Sequence, residues 1–261
     1  MNKIIKQVDK EKGLVQITVA NERWYAKPTE NKDTKNPEYQ FVPSVTWIAG
    51  CYPKGVPFYK WLADKGWDEA EAIKSAAGDK GSKVHSAIED LIDGKEVKMD
   101  AKYLNRSTDK EEELTLEEWE CLVSFARWFR EVKPKVLSKE LVVFDDEYGF
   151  AGTIDFVCEF GGQKYLIDFK TGQNIWPEYE LQVSAYKEAL KEKGKELKLA
   201  ILQIGYRRNK DGYKFTEVED KFSLFLAAKQ IWHNEHGEEK PKVKDYPLSL
   251  QLEVKKAKKT K

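Results

Sequence analysis

The chain has 261 residues, of which 41% are hydrophobic and 34% are charged, a composition typical of a folded globular protein with one large domain. Its 45 basic and 45 acidic side chains cancel, so any contact with nucleic acid has to rely on local clusters of charge. The three widely spaced cysteines exclude a disulfide framework and a CxxC metal site, and no apolar run is long enough to cross a membrane. We therefore expect a cytoplasmic protein without a membrane partner.

The N-terminal part is predicted to begin with a hairpin, because the β-rich runs KIIKQVD and LVQITVA are separated by KEKG. A polar loop is expected through KPTENKDTKNPEYQ, and the aromatic stretch from residue 57 to 77 is expected to be helical. The next helix is predicted to begin at Gly81 and to end at Gly94, with apolar residues at helical spacing between them. We expect the segment KMDAKYLNRSTDKEEE to be an exposed, mobile connection.

The C-terminal half has clearer patterns. Thr115 and Glu118 have capping-box spacing and predict a helix that ends near Pro134. Strands are predicted at about 136–144, 150–160 and 163–170. A helix over PEYELQVSAYKEALKEKG, strands at LKLAILQIGYRR and YKFTEVE, and a helix through FSLFLAAKQIW follow. The lysine-rich residues 255–261 are predicted to be disordered.

One predicted hairpin places two acidic side chains together. A two-residue loop at Gly161 and Gly162 in GTIDFVCEFGGQKYLIDFK sets Asp155 directly across from Asp168. In this register one face is almost wholly apolar and must cover a core; it carries Ile154, Phe156, Cys158 and Phe160 opposite Phe169, Ile167, Tyr165 and Gln163. The opposite face pairs a glutamate with a lysine at positions 159 and 164, which supports the register independently.

Two facing carboxylates need compensation, because β-carbons of facing residues are only about 4.5–5.5 Å apart and like charges repel. A divalent cation between Asp155 and Asp168 would compensate, and Lys170 follows on the same face. Two acids and a lysine at one strand edge suit phosphoryl chemistry. The alternative interpretation is that either aspartate is an ordinary solvated residue at a strand end.

The order of three motifs, GTID, DFKTG and QVSAY, resembles the PD-(D/E)XK nuclease superfamily in its RecB-like branch. The resemblance extends upstream to Glu140 in SKELVV, to His85 in GSKVHSAIE and to VPSVTWIAG. It is most similar to the mitochondrial genome maintenance exonuclease group and related phage or bacterial exonucleases. The resemblance implies an α/β, restriction-endonuclease-like fold: a mixed central sheet flanked by helices, with the N-terminal β-hairpin and a helical elaboration.

The resemblance also implies a metal centre. His85, Asp155, Asp168 and the backbone carbonyl of Phe169 would ligate one or two Mg²⁺ or Mn²⁺ ions. Lys170 would orient or activate the attacking water. An iron–sulfur cluster, which some RecB-like nucleases hold with four cysteines, is excluded because this chain has three scattered ones.

Further residues would support that centre. By the resemblance, Glu140 would assist the metal site through water; the alternative is that it is an ordinary strand residue. Gln182 and Tyr186 are four apart on one helix face and would position the water, Lys170 or the scissile strand. Tyr186 is alternatively a core side chain with a solvated hydroxyl.

Candidate contacts to nucleic acid lie outside the metal centre. Ser44 and Thr46 belong to VPSVTWIAG, and we assign them as nucleic-acid-binding. Arg207 and Arg208 follow a strand and would contact phosphate, or would be a solvated strand end.

The sequence thus predicts a metal-dependent DNA exonuclease that engages single-stranded ends or free ends, in recombination, repair or replication. Residues 1–241 would form one nuclease domain, with an N-terminal elaboration over 1–80 and a catalytic core over 81–241, followed by a basic tail over 242–261. Alternatives are a nucleic-acid-binding protein that does not cleave, and a structure-specific endonuclease of the same fold. A glycosidase carboxylate pair would leave Lys170 unexplained.

Overall fold

A computed structural model describes residues 4–9, 13–19, 22–29, 39–236 and 240–241, and the structural statements below concern these ranges. The α-helices are α1 (Val45–Ala49), α2 (Val56–Lys65), α3 (Trp67–Ile92), α4 (Leu116–Val132), α5 (Pro177–Ala189) and α6 (Phe222–His236). The strands are β1 (Ile4–Asp9), β2 (Leu14–Val19), β3 (Glu22–Pro28), β4 (Tyr39–Pro43), β5 (Lys102–Asn105), β6 (Lys110–Glu113), β7 (Lys135–Asp145), β8 (Phe150–Phe160), β9 (Gln163–Lys170), β10 (Lys198–Ile204) and β11 (Tyr213–Val218).

The central sheet has five strands in the order β11-β10-β9-β8-β7. Strands β9 and β10 are parallel, whereas the other neighbours are antiparallel. A parallel pair needs a crossover, and α5 supplies it. The expected mixed central sheet flanked by helices is therefore confirmed.

Two buried clusters cover the two faces of this sheet. One cluster contains Leu166 of β9 together with residues of α1, α5 and α6. The other contains the next residue, Ile167, together with residues of α3 and α4. Because neighbouring side chains of a strand point to opposite faces, this division follows from the continuous apolar runs of β9 and β10.

The N-terminal region forms a second sheet in the order β1-β2-β3-β4. The predicted hairpin of β1 and β2 is confirmed. The predicted polar loop is wrong at both ends, which belong to β3 and β4, while residues 30–38 lie outside the described residues. Trp24, Tyr25 and Ala26 are consecutive and all buried, because packing covers both faces of β3. Period-two alternation is absent there, so the strand was missed.

The predicted start of the central helix is also wrong. α3 begins at Trp67, so Gly81 lies inside it. The expected boundary between the N-terminal elaboration (1–80) and the catalytic core (81–241) also falls within this helix. A glycine in a helix interior costs about 1 kcal/mol, which is too little to stop a helix that packs along its length. The aromatic stretch is indeed helical, but Gly66, with a φ of 75°, separates α2 from α3.

The expected mobile connection after α3 contains the hairpin of β5 and β6. The Asn105 side chain accepts a hydrogen bond from the Ser107 backbone N–H at 2.9 Å, which stabilises the turn between these strands. The prediction of a mobile connection was therefore wrong. It failed because the spacing of residues in this polar segment gives no signal of a strand pair.

The C-terminal elements agree with the sequence patterns. The capping box of Thr115 and Glu118 is present at the start of α4, and the strands and helices predicted after it all occur. None of the helices described is both long enough and apolar enough to cross a membrane. The predicted disordered tail over 242–261 lies outside the described residues. That residues 1–241 form a single nuclease domain stays a prediction.

Candidate active site

The hairpin of β8 and β9 has the predicted register up to the two aspartates. Phe156 pairs with Ile167, which is the last pair of the ladder, so Asp155 and Asp168 are not a ladder pair. Instead, the backbone N–H of Phe169 donates to the carboxylate of Asp155 at 2.8 Å. A side chain thus takes a position that a strand carbonyl would otherwise occupy, and the strands separate where the acidic residues lie.

Strand β8 also changes the facing of its side chains at Asp155. Ile154 lies in the same cluster as Val157, whereas Phe156 lies in the cluster on the other face of the sheet. The expectation that Ile154 shares a face with Phe156 is therefore wrong. Glu140, on the neighbouring strand β7, has a φ of 43°, which is uncommon for a residue other than glycine. Irregular strands of this kind re-aim side chains and are frequent beside active sites.

His85 of α3 reaches the place where β8 and β9 separate. Its Nδ1 lies 3.5 Å from Oδ1 of Asp155, and its Nε2 lies 3.1 Å from the carbonyl oxygen of Phe169. One ligand atom each from His85, Glu140 and Asp155 lies within 4.8 Å of the others. An imidazole nitrogen and two carboxylates, beside a backbone carbonyl, form a donor set that fits a divalent cation. Glu140 belongs to this group, and the expected ligand Asp168 does not.

Asp168 lies in a second group that is joined by Gln182. The Gln182 Nε2 donates to Oδ1 of Asp168 at 2.9 Å and to the Tyr186 hydroxyl at 3.0 Å. Its Oε1 accepts from Nζ of Lys170 at 3.3 Å, and Nζ lies 2.5 Å from Oδ2 of Asp168. The predicted convergence of Gln182 and Tyr186 on one point is therefore present. Gln182 holds the carboxylate and the ammonium group in fixed positions.

The charges of His85 and Asp155 stabilise each other. Burial acts to lower the pKa of the His85 imidazole, but the Asp155 carboxylate outweighs burial and raises this pKa to about 9. For Asp155, burial acts to raise the pKa, yet the charge of His85 and the Phe169 N–H hold it below its ordinary value. Without a cation, a protonated imidazole therefore supplies the positive charge that this carboxylate requires.

The second group is electrostatically similar. Burial raises the pKa of the Asp168 carboxyl to about 6, against the opposing charge of Lys170. Burial acts to lower the pKa of Lys170, but the carboxylates of Asp168 and Asp155 raise it above its ordinary value. Lys170 is accordingly an ammonium group at neutral pH.

Two tyrosines near the site were not predicted. The Nζ of Lys170 lies 4.5 Å from the ring centroid of Tyr179, a cation–π contact. Tyr179 precedes Gln182 by three residues, so helical spacing was a signal that could have identified it. The Tyr25 hydroxyl is 3.2 Å from Oγ1 of Thr153, two residues before Asp155. No sequence pattern connects Tyr25 with this strand.

The residues expected to contact nucleic acid have these positions and partners. Ser44 is the N-cap of α1, accepts from the backbone N–H of Trp47 and is buried, whereas Thr46 is exposed. The Arg207 guanidinium lies 3.0 Å from a carboxylate oxygen of Glu117 on α4. The Arg208 guanidinium donates to the side chain of Asn174 at 2.9 Å, in the loop that follows β9.

Comparison with known proteins agrees with this geometry. A family model described as the PD-(D/E)XK nuclease superfamily matches residues 58–247, which include all of α3 to α6 and the central sheet. No curated protein matches the chain.

Proposed function

Because the chain belongs to the PD-(D/E)XK nuclease superfamily, we propose that it is a metal-dependent DNA exonuclease that acts on single-stranded ends. The observation that supports this proposal best is the arrangement of His85, Glu140 and Asp155 within 4.8 Å of one another. This group lies beside the Lys170 ammonium, whose charge acts on Asp155. The family match alone is compatible with any nuclease. The substrate and the direction of digestion therefore have to be inferred from the site.

The metal would be Mg²⁺ or Mn²⁺, since carboxylate and carbonyl oxygens suit these ions and one imidazole is compatible with Mn²⁺. His85, Asp155 and the Phe169 carbonyl would hold it, and Glu140 lies beside them. The charges of His85 and Asp155 also act on the carboxyl group of Asp168. A bound cation supplies positive charge for the phosphate and lowers the pKa of a coordinated water. To serve as a ligand, His85 has to release one of its two ring protons, either the one on Nδ1, which faces Asp155, or the one on Nε2, which faces the Phe169 carbonyl.

Lys170 would act as a fixed positive charge. Its contacts with Asp168 and Gln182 hold the ammonium group in place, and its raised pKa keeps it protonated. A protonated lysine donates hydrogen bonds but accepts none. We therefore assign Lys170 to orienting water and neutralising phosphate charge, rather than to accepting a proton.

The preference for single-stranded ends rests on two features. One is the order of motifs that resembles the RecB-like branch, an assignment that we keep as a proposal. The other is a set of large aromatic side chains that are exposed: Tyr59 at 56%, Trp67 at 68% and Trp176 at 45%. Unpaired bases stack on exposed aromatic rings without regard to sequence, and each stacked base contributes about 1–3 kcal/mol.

The experiment that tests the proposal uses oligonucleotides labelled at one end, single- and double-stranded, with Mg²⁺ or EDTA. Lys170→Met should lower the cleavage rate about 10²-fold or more, because it removes a donor aimed at the reacting phosphate. Lys198→Met is the matched control, because Lys198 forms an exposed ion pair at the start of β10. Melting curves establish that both variants are folded at the assay temperature.

The outcomes separate the candidate functions. Products released progressively from one end, with circular single-stranded DNA left intact, support the exonuclease. Cleavage of the circle would instead support an endonuclease of the same fold. Binding that is insensitive to chelators, without any cleavage by the wild type, would leave a nucleic-acid-binding protein and refute the proposal.

A further inference from the structure

Two side chains of α5, Tyr179 and Gln182, contact the same ammonium group on β9. The Nζ of Lys170 lies over the ring of Tyr179, 4.5 Å from the ring centroid. The same Nζ donates a hydrogen bond to Oε1 of Gln182 at 3.3 Å. Residues three apart on a helix are neighbours on its surface, so both contacts come from one face of α5.

The position of Tyr179 is fixed by its place in the first turn of α5. Pro177 is the first residue of this helix, and its ring restricts the backbone to a helical φ. The backbone N–H of Tyr179 donates to the carbonyl of Trp176 at 2.9 Å. The neighbouring Glu178 forms an ion pair with Lys54, between α1 and α2. The tyrosine also packs against the buried cluster on this side of the sheet, so its ring is held beside the ammonium group.

The ring adds a contact that the ammonium group of Lys170 needs. A lysine carries its charge on a flexible four-carbon stem, so a single contact does not fix the charge in one place. The Asp168 carboxylate forms an ion pair with this group, at 2.5 Å between Nζ and Oδ2. An ammonium group has three N–H donors, and Asp168 and Gln182 occupy at most two of them. The ring restrains the ammonium without accepting an N–H bond, which leaves a donor for water or phosphate.

This cation–π contact differs from the others among the described residues. The others have distances of 4.7–6.0 Å, and their lysines are more exposed than Lys170, whose side chain is 18% exposed. The attraction between a cation and a ring is stronger where water is excluded. The contact of Tyr179 with Lys170 should therefore be the strongest of this set.

We propose that Tyr179 is a positioning residue whose ring holds the Lys170 ammonium where it meets water and phosphate. This inference rests on the proposed function, because it extends the role proposed there for Lys170. Tyr179 would act on the reaction through the lysine and would not touch the substrate. Any flat aromatic side chain at position 179 should therefore suffice, and the tyrosine hydroxyl should be dispensable.

The test compares Tyr179→Phe with Tyr179→Leu in the full chain, with Mg²⁺ and an end-labelled single-stranded oligonucleotide. Tyr179→Phe keeps the ring and should retain the wild-type kcat. Tyr179→Leu keeps an apolar side chain without a π face, and should lower kcat about 10-fold. KM should be unchanged, because the ammonium group stabilises charge in the transition state.

A double-mutant cycle with Lys170→Met shows whether the ring acts through the lysine. Tyr179→Leu should have no further effect on the single-turnover rate when Lys170→Met is already present, because the group that the ring positions is gone. Tyr148→Leu is the matched control, since Tyr148 forms a cation–π contact with Lys191 at 5.2 Å, outside the candidate active site. Its kcat should equal that of the wild type. Melting temperatures establish that each variant is folded.

A second measurement does not depend on cleavage. Protons that lie over the face of an aromatic ring are shifted upfield in NMR spectra by the ring current. In protein with isotope-labelled lysine, the Cε protons of Lys170 should show this shift, and their signal is identified by its loss in Lys170→Met. The upfield shift should persist in Tyr179→Phe and disappear in Tyr179→Leu.

The failures of the two proposals are distinguishable. A wild type that cleaves DNA would refute the positioning role, and leave the nuclease standing, if folded Tyr179→Leu has the wild-type kcat or if Tyr179→Phe loses as much activity as Tyr179→Leu. Additive effects of Tyr179→Leu and Lys170→Met would refute it too, and so would a raised KM with unchanged kcat, which indicates direct contact with the substrate. If the wild type does not cleave, the proposed function fails, and the NMR shift alone decides whether the ring holds the ammonium group.

Discussion

Gly152, the glycine of GTID, lies against the ring of Tyr186. An ideal Cβ at this position would lie 2.4 Å from Cε1 of Tyr186 and 3.2 Å from its hydroxyl oxygen. Tyr186 is 3% exposed, so its ring has no open space into which it could move. Gly152→Ala therefore forces either β8 or the tyrosine to shift.

The expected destabilisation follows from this contact. Overpacking a buried site lowers the free energy of unfolding by about 1–3 kcal/mol. Replacing glycine by alanine also reduces the conformational entropy of the unfolded chain, which offsets about 0.4–1 kcal/mol of this loss. Each kcal/mol lost lowers Tm by roughly 2–4 °C in a chain of this size. The Tyr186 hydroxyl contacts Gln182, which holds Asp168 and Lys170, so the active site also shifts. A displacement of about 1 Å there would lower cleavage by up to about 10²-fold.

The assay is thermal unfolding followed by circular dichroism, together with cleavage of an end-labelled oligonucleotide. Gly78→Ala in α3 is the matched control, because nothing lies within 4 Å of its added Cβ, and it should stabilise the protein. A smaller side chain at position 186 should relieve the contact. Gly152→Ala should therefore destabilise the protein less in a Tyr186→Leu background than in the wild type. A melting temperature of Gly152→Ala at or above that of the wild type, as expected for Gly78→Ala, would refute the predicted clash with Tyr186.

Three further predictions concern charges and the metal. Lys83→Met should lower the free energy of unfolding by about 3–5 kcal/mol, because it breaks a buried ion pair with Glu118 at 2.9 Å. Lys80→Met breaks an exposed ion pair and should have a much smaller effect. Equal effects of the two substitutions would contradict this prediction. Mn²⁺ should raise Tm and EDTA should reverse the rise, because a ligand that binds only the folded state stabilises it; an unchanged Tm at saturating Mn²⁺ would argue against a metal site. The pKa of about 9 for His85 means that a proton competes with the cation for this ligand. Calorimetric affinity for Mn²⁺ should therefore increase as the pH rises to about 9, and a flat profile would exclude His85 as a ligand.

The sequence determined those features that depend on residues close together along the chain. The register of β8 and β9 followed from a two-residue glycine loop and from the pairing of Glu159 with Lys164. The start of α4 followed from a capping box, and the convergence of Gln182 with Tyr186 followed from their spacing of one helical turn. Each of these is local, because backbone geometry alone sets the period of a strand or a helix.

Only the tertiary structure decided which separate elements meet at the site. The reversal of facing at Asp155 and the place of Glu140 among the candidate ligands both depend on packing between distant segments. Strand β3 escaped prediction because both of its faces are covered, so its buried residues show no alternation. The physical reason is the same throughout: periodicity tells which side of an element is buried, but contacts between elements are fixed by the packing of the whole core.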